Sequence, residues 1–240
     1  MIRPEYAALA GELSVIAADF GHTVDASLRH DIARLAATME CIDRHVDDAA
    51  DDRARRALWA DIVALLIRGD EDGGDGVGSD TGAFVDPELA RSVLDVREVA
   101  TRRGVLPRMV RLVREEIATS EAMRQAVRSG DYVAAVLREG HLTAGLALLV
   151  VGPACGRPFR RFFYRLGGPA NLVDKLLDAR ADHSRGELRL APGLGLYVRL
   201  AASIAVRTPM LLASHPRWWR VIGLGVRYLV VPSTTLGTAA

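Results

Sequence analysis

Cysteine, lysine and aromatic residues are scarce in this chain of 240 residues. Its two cysteines, Cys41 and Cys155, lie far apart and outside any CxxC spacing, so the sequence predicts neither a disulfide framework nor a zinc site. Lys175 is the only lysine, although arginine is abundant. The cysteine usage favours a protein of the reducing cytoplasm.

Uninterrupted apolar runs are also missing. The two closest candidates, residues 194–213 and 221–231, are broken by arginines, so we expect no membrane-spanning helix. The first 20 residues carry acids where a signal peptide would be continuously apolar, which predicts a mature N-terminus. A net charge of +1 provides no overall field for nucleic acid, and we expect no nucleic-acid partner.

Acidic residues are absent after Glu187, whereas arginines continue through this apolar tail: Arg189, Arg199, Arg207, Arg217, Arg220 and Arg227. A basic apolar segment of this kind is typical of peripheral contact with a membrane surface. The alternative is that its helices complete a helical bundle. We favour the bundle, because the fold needs helices after the second acidic cluster described below and only this segment can supply them.

Sustained period-two alternation is absent, and apolar residues recur at helical spacing over most of the chain. The clearest example has spacings of three and four, at Leu28, Ile32, Leu35, Met39, Ile42 and Val46. We predict an all-α, single-domain protein of about ten helices. Its segments are 5–20, a helix ending near 48, 53–68, 87–102, 105–128, 131–150, 158–183, 194–213 and 216–230.

One segment interrupts this pattern, at about residues 69–85, where glycine and aspartate dominate. Its acids lack the ligand spacing of an EF-hand, because Gly74 stands where the fifth ligand would be. We predict a flexible, solvated connection.

An acidic cluster follows at residues 171–182. At 100° per residue, its polar side chains share one helix face: Asn171, Asp174, Lys175, Asp178 and Asp182. Three carboxylates stacked one turn apart repel one another, so we expect a positive charge among them.

A second cluster lies at the end of the helix that terminates near residue 48. Asp43 and Asp47 are one turn apart at the margin of its apolar stripe, and Asp48 points further round. Carboxylates placed where an apolar cavity begins suit Mg²⁺, which completes its coordination with water and phosphate oxygens. We therefore predict that the two clusters face each other and clamp a diphosphate.

These segments resemble the motifs of squalene and phytoene synthases. DRHVDD at 43–48 is similar to the first acidic motif of that family, and LLDARADHSRG at 176–186 is similar to the second. Between them, HLTAGLAL at 141–148 resembles a segment of the family's central helix. The resemblance implies the class I isoprenoid synthase fold, a helical bundle around a central apolar cavity.

The resemblance also implies a chemistry, in which Mg²⁺ neutralises the diphosphate of an allylic isoprenyl substrate until its C–O bond ionises. The implied catalytic residues are Asp43, Asp47, Asp178 and Asp182. The implied metal ligands are those four together with Asp48, Asn171 and Asp174. The implied diphosphate-binding residues are Arg161, Arg165, Lys175 and Arg185, and the implied cavity residues are Met39, His141, Phe162 and Phe163.

Glu139 stands where members of the family that join two substrates carry a tyrosine, two residues before the histidine of the central segment. We therefore expect a terpene synthase that ionises one C15–C20 substrate. Head-to-head prenyl transfer is the first alternative. A non-catalytic helical partner or a membrane-surface protein is the second.

Overall fold

The computed structural model describes residues 4–68, 86–217, 219–220 and 222–223. Within these ranges the chain is helical and contains no strand, which confirms the all-α prediction. The elements are α1 (Pro4–Asp19), α2 (Ala26–Asp47), α3 (Asp52–Arg68), α4 (Pro87–Arg102), α5 (Leu106–Gln125), α6 (Ser129–Val151), α7 (Arg157–Ser184) and α8 (Leu194–Ala213), with a 3₁₀ turn at Gly152–Ala154 between α6 and α7.

Local sequence signals set several helix ends. The Asp86 carboxylate accepts a hydrogen bond of 2.7 Å from the backbone N–H of Glu88, and Pro87 occupies the first helical position of α4. Asp25 caps α2 in the same way, through the N–H of Leu28. Gly186 ends α7 with a φ of +79°, so the N–H of Glu187 can bond to the carbonyl of Asp182 at 2.9 Å. Arg185 and Gly186, which follow the second acidic cluster, thus form the C-terminal cap of α7.

Helix α6 is central to the fold. It packs mainly against α7 and α5 and also contacts α2, α4 and α8. Helix α2 packs on α1 and α4, α3 covers α4 and α5, and α8 lies on the outside of α7. Because α6 touches both α2 and α7, it connects the helices that carry the two acidic clusters.

The interior consists of three groups of buried apolar side chains. The largest joins α1, α2, α4, α5, α6 and the start of α7, with Phe159 fully buried. The second lies between α6, α7 and α8, around Leu172 and Leu200. The third packs the end of α2 against α3 and α4, around Ile62 and Leu89. Each group supplies burial of apolar surface, the main favourable term in folding.

Glycines bring α6 and α7 into backbone contact. A Cβ atom added at Gly140 would lie 2.3 Å from the carbonyl oxygen of Gly167, and one at Gly167 would lie 2.0 Å from that of Gly140. No side chain fits at this crossing. The close approach holds Asn171 beside Gly140, and its amide donates to the Glu139 carboxylate at 2.9 Å. The glycines therefore position part of the candidate site.

Helix bounds agree closely with the sequence predictions. The predicted segments 87–102 and 194–213 coincide with α4 and α8, and the other described helices end within about three residues of their predicted limits. Most of the predicted helix 216–230 and the whole predicted connection 69–85 lie outside the described residues.

Candidate active site

Asp43 lies near the end of α2, beside a small apolar pocket. The pocket has a volume of about 80 Å³. Among the described residues, Thr38, Asp43 and Glu116 form its polar lining, and Met39, predicted to line a cavity, is part of its apolar lining. The Asp43 side chain is exposed to solvent. Partial desolvation of its carboxyl group, with the like charges of Asp47 and Glu139, raises the pKa of Asp43 to about 7.

The other two acids of the first motif are exposed as well. Asp47 accepts a hydrogen bond of 2.5 Å from the guanidinium of Arg124, which reaches it from α5. Asp48 forms the C-terminal cap of α2. The first motif thus presents one carboxylate beside the apolar pocket, one carboxylate paired with arginine and one at the helix end.

Two further carboxylates lie between the motifs. Glu116 on α5 borders the apolar pocket; burial raises its pKa to about 8, against the opposing hydrogen bond of 2.8 Å from Thr143. Glu139 on α6 is enclosed, and burial raises its pKa despite the bond from Asn171. The charges of Glu116, Glu139 and Asp43 influence one another.

The second motif contains the predicted positive charge. Lys175 Nζ lies 3.5 Å from Asp182 and 4.0 Å from Asp174 on its own helix. Burial alone would lower the pKa of Lys175, but Asp182, Glu139 and Asp174 together raise it, so the lysine stays charged. Arg185 adds a second cation, 2.7 Å from Asp182.

Asp178 differs from its neighbours on α7. Its side chain is exposed, and its pKa is raised by partial burial and by the charge of Asp174. Asp182, in contrast, is 7% exposed and bonded to Arg185. Asp178 is thus the carboxylate of this motif that is most open to a ligand from solvent.

The charges of the two motifs influence the pKa values of one another's side chains. The charges of Lys175 and Arg124 oppose the rise in the Asp43 pKa, and Asp47 contributes to a raised pKa at Arg185. Within the described ranges, however, no three acidic, histidine or cysteine side chains are grouped closely enough to hold one metal ion.

Two predicted diphosphate ligands lie far along α7 from Asp178. Arg165 precedes Asp178 by 13 residues on α7, which corresponds to about 20 Å, and Arg161 is one turn further away. Arg161 is also exposed. Arg124 on α5 reaches Asp47, and Arg185 after α7 reaches Asp182.

Three predicted cavity residues likewise lie away from the pocket, in helix packing. His141 stacks on Tyr164 with ring centroids 4.9 Å apart, and burial lowers its pKa. Phe162 is fully buried against Phe20, and Phe163 stacks on Phe159.

Sequence reasoning did not assign Arg124 or Glu116 to the site. Both lie on α5, eight residues apart and therefore near one face, but only the packing of α5 against α6 shows where that face points. Glu139 had a local signal, because it is an acid in the middle of a largely apolar helix.

Comparison with protein-family models, with curated proteins and with solved structures finds no match for this chain.

Proposed function

We propose that the protein is a Mg²⁺-dependent class I terpene synthase that ionises an allylic isoprenyl diphosphate of 15 to 20 carbons. The observation that carries the proposal is the position of Asp43. This carboxylate borders an apolar pocket, and its pKa is influenced by the charge of Lys175 on α7. An isoprenyl diphosphate has an apolar chain and a charged head, so its site needs an apolar pocket next to charged groups.

The donor atoms suit magnesium, because carboxylate and amide oxygens are its usual protein ligands. Asp43, Asp47 and Asp48 from α2, and Asn171, Asp174, Asp178 and Asp182 from α7, would supply ligands to a cluster of Mg²⁺ ions, since no three acidic side chains of the described residues lie close enough to hold one ion. The raised pKa values of Asp43 and Asp178 favour this fit, since a divalent cation would offset the burial and the like charges around them. When bound, Mg²⁺ would supply Lewis-acid stabilisation of the departing diphosphate.

Arg124 is the best-placed protein donor for the diphosphate. Its side chain is 13% exposed, and its Nε–H is buried without a hydrogen-bond partner among the described residues. A buried donor of this kind is costly unless a ligand completes it. We assign Arg124, with Lys175 and Arg185, to diphosphate binding, in place of the distant Arg161 and Arg165.

The isoprenoid chain would enter the apolar pocket. At about 80 Å³ the pocket is smaller than the roughly 300 Å³ at the lower end of small-molecule sites. Met39 and Met109 line it, and unbranched methionine side chains can repack around a guest. The apolar wall would keep water away from the carbocation.

The direct test is incubation of the purified protein with Mg²⁺ and C10, C15 or C20 diphosphates, followed by measurement of released diphosphate and identification of the hydrocarbons. Asp43→Asn and Asp178→Asn should abolish release. Asp61→Asn is the matched control, because Asp61 lies on α3 and is also partly buried.

Each alternative has its own outcome in this assay. A product with twice the carbon number of the substrate would indicate head-to-head transfer. Absence of diphosphate release from all three substrates would contradict an enzymatic role and support a non-catalytic protein.

A further inference from the structure

Helix α8 has two apolar faces, of which the fold buries one. Leu196, Leu200 and Leu211 pack inward against the bundle, where α8 contacts α7 and α6. The opposite side faces solvent, and its large apolar side chains are strongly exposed: Leu194 at 81%, Val198 at 56%, Val206 at 74% and Met210 at 61%.

The exposed side is continuous along the helix. At 100° per residue, an outer arc of about 180° contains Leu194, Gly195, Val198, Arg199, Ala201, Ala202, Ala205, Val206, Pro209, Met210, the half-buried Leu212 and Ala213. Arg199 is its only charged member. Since α8 has 20 residues, this apolar arc is about 30 Å long. We call it the outer face of α8. Contiguous exposed apolar patches mark interaction sites.

The charged residues of α8 itself are both arginines. No acid occurs in the sequence after Glu187, and Arg199 and Arg207 are both exposed on α8. Beyond the helix, Arg217 and Arg220 bind the buried Asp19 at 2.8 and 3.0 Å, which fixes the following segment to the end of α1. Exposed Trp219 and Ile222 lie in that segment. Apolar surface bordered by arginine complements an anionic lipid surface.

We propose that the outer face of α8 docks this protein in the plane of a bilayer that contains anionic lipid. By length and composition α6 and α8 would each suit a membrane span, with 44% and 17% of the respective apolar stretches buried in the fold. The three inward leucines of α8 hold it against the bundle, so it lies on the bilayer and does not cross it. The proposal stands whether or not the protein turns over isoprenyl diphosphates.

The test is flotation of the full chain with vesicles of phosphatidylcholine, with and without phosphatidylglycerol. The wild type should float with the anionic vesicles and much less with neutral ones. Val198→Gln and Val206→Gln should each weaken binding by about tenfold, because each removes an apolar side chain from the contact. Val127→Gln is the control, since Val127 is 71% exposed but lies between α5 and α6.

Arg199→Gln with Arg207→Gln should remove the preference for anionic vesicles. All variants should melt at the wild-type temperature, which separates lost docking from lost folding. Failure of the wild type to float, or unchanged flotation of the Val198→Gln/Val206→Gln variant, would overturn the proposal. A concentration-dependent dimer that this variant dissociates, without vesicle binding, would show instead that the outer face binds a second copy.

Discussion

The two acidic motifs have similar sequences but different surroundings. On α7, Asp182 is bonded to Arg185 and lies beside Lys175. These two side chains already neutralise much of the motif's negative charge. On α2, Asp43 borders an apolar pocket and is exposed to solvent, and no described residue forms a hydrogen bond or ion pair with it. The α7 motif is largely self-neutralised, whereas the α2 motif contains a carboxylate with a raised pKa and no counter-charge in contact.

This difference indicates which motif depends more on an added cation. A metal ion that binds a paired carboxylate must displace its lysine or arginine. The lost ion pair offsets part of the free energy of metal binding. A carboxylate that has a raised pKa and no ion-pair partner loses no such pair, and a bound cation stabilises its charged form. We therefore expect Asp43 to dominate cation binding, with Asp178 as the accessible contact on α7.

The largest expected effect is that of Asp43→Asn on turnover. Loss of a direct metal ligand should reduce kcat/KM by on the order of 100-fold or more, since weakening the outer partners of metal ligands already costs 10–100-fold. The same variant should unfold at a higher temperature than the wild type in metal-free buffer near pH 8, because it removes a carboxylate whose charged form the folded state disfavours. Steady-state kinetics and thermal melts measure both effects.

Asp48→Asn is the control for this experiment, because Asp48 is a neighbouring aspartate that faces solvent. It should change turnover less and leave the melting temperature unaltered. If Asp43→Asn keeps near-wild-type activity, the assignment of the metal site to the α2 motif is wrong.

The all-α character and the helix positions were largely predictable because apolar residues recur at helical spacing and capping residues mark several helix ends. Asp86 and Pro87 marked the start of α4, and the cation expected among the α7 acids is Lys175. Arg124 and Glu116 were not predictable, because their proximity to the motifs depends on the packing of α5 against α6. The separation of Arg161 and Arg165 from Asp178 along α7 follows from helical rise.

Lys175→Met should have the next largest effect, on stability. It would remove the cation shared by Asp174, Asp182 and Glu139 and leave Asp182 paired with Arg185 alone, and breaking a partly buried ion pair of this kind costs about 3 kcal/mol. Mg²⁺ should restore more stability to this variant than to the wild type. Chemical denaturation with and without Mg²⁺ measures the difference.

Arg34→Met provides the comparison, because Arg34 pairs with the more exposed Asp95. This substitution should lower the free energy of unfolding by less than about 1 kcal/mol. Equal losses for the two variants would contradict the view that the α7 motif is held together by its own lysine.

Gly140→Ala should destabilise the protein by about 2 kcal/mol, because the new methyl group would meet the backbone of Gly167 and force α6 away from α7. It should also weaken cation binding, since Glu139 and Asn171 flank the contact. Gly11→Ala, a helical position with open space around it, should instead stabilise by about 0.5–1 kcal/mol. Denaturation midpoints of the two variants should therefore move in opposite directions.

The smallest effect is on the pH dependence of stability. The pKa values of Asp43 and Glu116 are raised to about 7 and about 8, so the folded state binds more protons than the unfolded state above about pH 4. The stability that these two raised pKa values contribute is fully present below pH 4 and is lost as the pH rises to about 8. Asp43→Asn and Glu116→Gln should flatten this decline in thermal melts at fixed ionic strength, whereas Asp178→Asn should change it less.

Calorimetric titration of Mg²⁺ into the protein mixed with inorganic diphosphate tests the central claim most directly. The account predicts saturable binding that depends on diphosphate, is lost in Asp43→Asn, is weakened in Arg124→Gln and Asp178→Asn, and is unchanged in Asp61→Asn. Equal binding by the wild type and Asp43→Asn, or no binding by the wild type, would contradict it.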